Sequence, residues 1–335
     1  MATNLPLTQS QLYLPNVHSI GSSERAFGEA FLIAAQILVR HLEQIQAAIG
    51  AIKDFKRESF NLTLLQLFSK MYLHYYSYVL LEIHHDRVGS QLLIEHLGDA
   101  AITLIYLLEE GDNRLASEYI SASIHQAHYL LITIEEQLHK FSNHPDLLSL
   151  KVQLETVIAQ QQEPVVQRLL TADSKAYLWG PQSANTTAKR GAVVGLNFLT
   201  NPARQIALRV VPASWLELQV SYLNSSAKST QTQRSAEGSS GGYVEQAQAQ
   251  PGINFTDLRD AAHLCLHATR TFLEEIVNYQ GFNLQDIERQ QQMLNVLFEW
   301  FHNTHSVYQL LYCHNNSRET QLSSISHRSN DSYGK

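Results

Sequence analysis

The sequence predicts an all-α protein, a bundle of seven to eight helices with a disordered insert, on three observations. Apolar residues recur at three- and four-residue steps through most of the chain. Serine, proline, glycine and asparagine stand where such runs begin and end. One stretch, 224–252, has almost nothing a core could bury.

Residues 1–22 lack such a repeat and are read as a flexible N-terminus. Ser22-Ser23-Glu24 then offers a helix cap, and Phe27, Phe31, Ala34, Leu38, Leu42 (or Ile45) and Ile49 form one stripe of a first helix reaching about Asp54. A second runs from about Ser59 through Leu65, Phe68, Tyr72 and Tyr76 to the polar break His84-His85-Asp86. From Arg87 to Glu110 apolar residues occur nearly all round, which predicts a helix at the centre of the fold, enclosed on most sides. Gly111-Asp112-Asn113 supplies a stop and a new start. Helix four follows, with Ile120, Ile124, Ala127, Leu131, Ile134 and Leu138 on one face.

Pro145 suits a first helical turn, and the fifth helix is expected to kink or restart at Pro164 and end near Leu170. Glycines at 180, 191 and 195 break the register, so 171–200 is read as a connector. Asn201-Pro202 opens a helix to Leu223 that Pro212 should kink; two strands, Ile206–Val211 and Trp215–Tyr222, are the competing reading. After the flexible insert 224–252, two helices are expected over about Thr256–Tyr279 and Leu284–Tyr312, the second capped by Asn283, and then a disordered tail over 313–335. The chain thus reads as an N-terminal helical half, 23–170, and a C-terminal half, 201–312, that pack as one domain.

With 335 residues, 44% of them hydrophobic, a sizeable core can form. Met1–Ile20 has no basic start and apolar run of the secretory kind, and no stretch reads as the roughly 18 apolar residues of a membrane span. The expectation is a soluble, cytoplasmic protein. Its two cysteines, Cys265 and Cys313, sit in apolar helical patterns and are assigned to the core. Net charge is −7, and between Glu82 and Glu136 the only cations are Arg87 and Arg114, a surface that repels a phosphate backbone. Nucleic-acid binding would need a local basic patch, for which Lys189-Arg190 and Arg204/Arg209 are the candidates.

Chemistry-bearing residues fall into a few constellations. On the central helix Arg87, Gln91, Glu95 and Asp99 step by four, with His96 beside them, and acids inside an apolar helix must pair to be buried. The row could hold helices in register or floor a binding site. Arg259, His263 and His267 form a second row around Cys265, able to place a proton donor beside an anion clamp. Glu82 with His85, and Glu299 with His302, match the Glu-x-x-His spacing that di-iron bundles use, but projection puts Glu299 and His302 on the water side of the last helix. His125 and His128 flank Glu118 and Glu135 beside the stripe of helix four, a weak metal candidate and otherwise a solvated edge. No phosphate loop, serine elbow or thiol nucleophile is present in the pattern, and no cofactor is expected.

The stretches Arg87–Glu95 and Ala100–Glu109, with Trp215-Leu216-Glu217-Leu218 and Asp257–Leu264, resemble a bacterial, largely cyanobacterial, family of all-helical proteins of unknown function over roughly residues 60–280. The family places a His-Gly pair before the tryptophan, where this chain has Pro212-Ala213-Ser214. Some families of this look resemble small helical ribonucleases, whose signature is an arginine followed four to six residues later by a histidine. Arg87 to His96 and Arg318 to His327 miss that spacing, and Arg259 to His263 stands at its short limit. The resemblance implies a helical fold and leaves activity open.

Three functions remain in view. The leading one is a non-enzymatic helical protein that binds another protein or itself. The second is a hydrolase or nuclease using Arg87, Glu95, Asp99 and His96, Arg259 or His263. The third is a metal-binding carboxylate and histidine bundle.

Overall fold

The computed structural model describes residues 13–20, 23–52, 59–84, 86–111, 113–141, 144–160, 179–196, 255–276 and 284–313. Among these there are eight α-helices and no strand: α1 (Glu24–Gly50), α2 (Ser59–Ile83), α3 (Arg87–Glu109), α4 (Asn113–Lys140), α5 (Pro145–Gln160), α6 (Thr187–Val193), α7 (Phe255–Ile276) and α8 (Leu284–Tyr308). The all-helical expectation holds. The readings at Pro164, over 201–223, for the insert 224–252 and for residues 314–335 of the tail lie outside the described residues.

Local signals set the helix ends. Ser23 accepts the Ala26 N–H at 3.2 Å and caps α1, as its position before the apolar stripe predicts. Asp86 does the same for α3, accepting the Gly89 N–H at 3.0 Å. At the far end of α3 Gly111 is needed for space, because a Cβ there would overlap the Leu107 carbonyl. α1 ends at Gly50, short of Asp54.

The chain forms two compact units, residues 1–101 with 199–335, and residues 102–198. This division differs from an N-terminal and a C-terminal half, since α1 and α2 group with α7 and α8.

In the first unit α1 packs on α2, α7 and α8, and α7 packs on α2 and α8. The helices at its centre are therefore α1 and α7, which corrects the expectation that α3 takes that place. The small side chains Ala30, Ala34, Ala35, Ala261, Ala262 and Ala268 are all buried and let these backbones approach closely. Phe31, Leu38, Leu42 and Ile49 of the α1 stripe are fully buried, and Phe68 of α2 stacks on Phe272 of α7 at 4.9 Å. The segment Tyr13–Ile20, within the stretch read as flexible, forms a 3₁₀ turn on α8. Asn16 accepts the His18 N–H at 3.0 Å, and the Trp300 indole N–H donates to the Pro15 carbonyl at 2.7 Å.

The second unit holds the last turns of α3 with α4, α5 and α6. Residues Ala100–Leu107 are buried on every side, whereas Gln91, Leu92, Glu95, His96 and Asp99 are exposed, so the all-round burial expected of α3 applies to its second part alone. By length and composition Gly89–Glu109 would suffice to cross a membrane, with mean hydropathy 1.3, contrary to the reading that no stretch does. Some 56% of that window is buried inside the protein, the same composition a core helix needs. Where a bare connector was expected, α6 forms, capped by Thr186 on the Lys189 N–H at 3.3 Å. It is held from outside by Arg190, whose guanidinium lies 4.4 Å from the centre of the Trp179 ring. Trp179 in turn meets Tyr119 edge-on at 5.0 Å and Tyr106 at 5.9 Å. Gly180 allows the turn after Trp179 with its φ of 78° and donates its N–H to Glu118 at 3.2 Å.

Candidate functional site

The row on α3 does not form a buried network. Glu95, His96 and Asp99 stand on the solvent side, because the apolar face of this part of the helix is narrower than the sequence pattern suggests. Only the backbone of Arg87 is described. His96 stacks on His74 of α2, with ring centroids 5.6 Å apart. No hydrogen bond or ion pair among the described residues joins Glu95, His96 or Asp99 to Arg259 or His263. The two halves of the hydrolase constellation are not drawn together by contact.

The second row gains partners that no single-helix pattern could show. Arg259 of α7 donates through Nε and Nη2 to Oδ1 of Asp260, at 2.9 and 2.6 Å, and its Nη1 lies 2.9 Å from Nδ1 of His305 on α8. Guanidinium only donates, so Nδ1 of His305 accepts and the ring proton sits on Nε2, which is 3.5 Å from Oγ1 of Thr256. Burial first, then the Arg259 charge, pushes His305 down to about 4. His263 is also pushed down to about 4 by burial and Arg259, and its ring stacks on Phe298 at 4.3 Å with His302 at 6.4 Å.

This geometry argues against Thr256 acting as a nucleophile with His305 as its base. A base that activates Thr256 needs a free lone pair on Nε2 and a carboxylate on Nδ1. His305 has the reverse, a proton on Nε2 and a cation on Nδ1. At neutral pH it is an acceptor for Arg259, and the cluster ties α7 to α8.

Metal chemistry finds no set of donors either. Among the described residues no three His, Cys, Asp or Glu side chains are placed to hold one ion. Glu82 is buried on α2 while His85 lies outside the described residues. Glu299 and His302 are exposed, on the side where projection puts them. His125 and His128 are half-buried on α4, with no third ligand grouped with them among the described residues. Cys265 is buried and its thiol is pushed well up by that burial, so it is no nucleophile at neutral pH. Arg190 of the suspected basic patch is buried against Trp179, and Arg204 and Arg209 lie outside the described residues.

Two polar groups that the sequence reading passed over lie deep in the first unit. His41 is 1% exposed with neither ring nitrogen hydrogen-bonded to any described residue, and burial pushes it down to about 4. The Tyr75 hydroxyl is likewise buried without a partner among the described residues. The spacing of His41 from Leu38 and Ile45 already placed it on the apolar face of α1.

The surface with the strongest unexplained chemistry is apolar. α5 packs on α4, yet none of its described side chains is fully buried, and it exposes Leu148, Leu150 and Val152. The adjoining half of α4 exposes Tyr129, Leu130 and Ile132, with Phe141 just beyond its end; Phe141 and Val152 are each 60% accessible. Lys151 clasps the hairpin by an ion pair to Glu135 at 2.9 Å. The hairpin is thus fixed internally while its apolar side chains face solvent.

No family model, curated protein or solved structure matches this chain.

Proposed function

We propose that the protein works by binding protein, a second copy of itself included, and that the α4–α5 hairpin is the surface it uses. The observation that carries this is the exposure of six large apolar side chains on α4 and α5, with Phe141 just beyond the end of α4. Scattered single apolar residues are ordinary on a protein surface, and seven large ones within one two-helix hairpin exceed that ordinary scatter. The mixed charges Glu135, Glu136, Lys140 and Lys151 beside it supply the polar rim that such interfaces carry.

Light scattering after size exclusion, combined with affinity capture from a native lysate, is the test. A stable oligomer or a specific co-purifying protein supports association, and a partnerless monomer in both measurements ends the proposal.

A further inference from the structure

We infer that the contact between α7 and α8 at Arg259 and His305 is an acid-sensitive clasp, which lets the last turns of α8 part from α7 when His305 takes up a proton. The clasp belongs to the first unit and is independent of what the α4–α5 hairpin binds. Its geometry works in one protonation state alone. Nη1 of Arg259 lies 2.9 Å from Nδ1 of His305, and a guanidinium has protons to give and no lone pair, so the contact needs a neutral ring. A proton added at Nδ1 takes up the one lone pair the ring has left. Donor then faces donor and cation faces cation, so an attractive contact becomes a repulsive one.

The neighbouring charges do not rescue the protonated ring. Asp260 of α7 offers a counter-charge, but it already takes Nε and Nη2 of Arg259 at 2.9 and 2.6 Å, and Arg259 outweighs it in its effect on His305. His302 of α8 acts in the same direction as Arg259. Beside the pair, His263 of α7 stacks on Phe298 of α8 and meets the same Arg259, Asp260 and His302, so a second proton there adds to the strain. α1, also packed on α8, brings Glu24, which accepts the Tyr308 hydroxyl at 2.9 Å, and the 3₁₀ turn on α8 brings His18, which is exposed.

This end of the seam is built to open locally. Phe255 begins α7 and Tyr308 ends α8, so the clasp lies about a turn from two helix termini, which open at lower cost than helix interiors. Directly after Tyr308 the chain widens into a π turn, Gln309–Cys313, in which Leu310 is 63% and Leu311 45% accessible. The closed form holds His305 near 4, whereas an opened, hydrated ring titrates near 6.5. The clasp is therefore fully shut above about 6.5 and loosens as the pH falls toward 4.

The test is hydrogen exchange of the full chain read by mass spectrometry at pH 7.5 and pH 5, corrected for the intrinsic rate at each pH. Residues 302–313 should open several-fold more at pH 5, with a smaller change over α2. His305→Gln keeps a neutral acceptor for Arg259 and takes up no proton, so it should lose most of that rise, whereas His41→Leu should keep it. Histidine ¹⁵N spectra of the unaltered chain at pH 7.5 supply a reading that needs no variant: His305 should be the Nε2–H tautomer. No rise at pH 5, an equal rise over every helix, a rise undiminished in folded His305→Gln, or an Nδ1–H tautomer each overturns the inference.

Discussion

His41 contributes to the acid limit of this fold, as a histidine that burial alone holds neutral. Its folded form is held near 4 by burial, while the unfolded chain titrates near 6.5. Between those values the unfolded state binds more protons, so stability is full above about 6.5 and falls as the pH drops toward 4. At pH 5 the loss from this one group is about 2 kcal/mol. His41→Leu fills the same space without a titrating group, so urea unfolding at pH 7.5 and pH 5 should show a smaller drop for the variant than for the unaltered chain. Equal drops would mean that His41 is hydrated or paired in solution. Arg259 makes a second case: Arg259→Met leaves Asp260 buried without its cation and frees His305, and should cost about 1–3 kcal/mol. Adding Asp260→Asn should recover part of that loss in a double-mutant cycle. Full additivity would show that the Arg259–Asp260 contact carries no coupling.

Element boundaries were the most legible part of the sequence, because the forces that set them are local. Ser23, Gly111 and Pro145 act within one turn of their own position, and the helices start or stop where they stand. Gly111→Ala puts a methyl group onto the Leu107 carbonyl, so the last turn of α3 must shift. We expect a loss of about 1–3 kcal/mol, seen as a lower Tm in calorimetry, where an ordinary surface Gly→Ala exchange would be neutral or stabilising. α6 was illegible for the opposite reason. Seven residues cannot sustain a helix by propensity, and what holds this one is the Arg190 guanidinium over Trp179, eleven positions away and recognisable only once folded.

At the scale of the whole molecule, periodicity told which face of a helix is apolar and left open which faces meet. The apolar character of α3 suggested a central helix, yet close packing rewarded the alanines of α1 and α7. Arg259 and His263 were legible as a row, while His305, which decides their chemistry, lies 46 residues from Arg259 and on another helix. The same limit hid the hairpin surface, since an apolar stripe in sequence does not say whether anything covers it. That surface gives the association its expected signature. Apolar contact is insensitive to screening, so a complex made through α4–α5 should persist in 1 M NaCl, where an interface of exposed ion pairs would weaken. Placing aspartates at Ile132 and Val152 should abolish it while leaving helicity unchanged, because both side chains already face solvent. An association that dissolves in salt and ignores these two substitutions would move the binding surface away from the hairpin and toward the acidic face of α3.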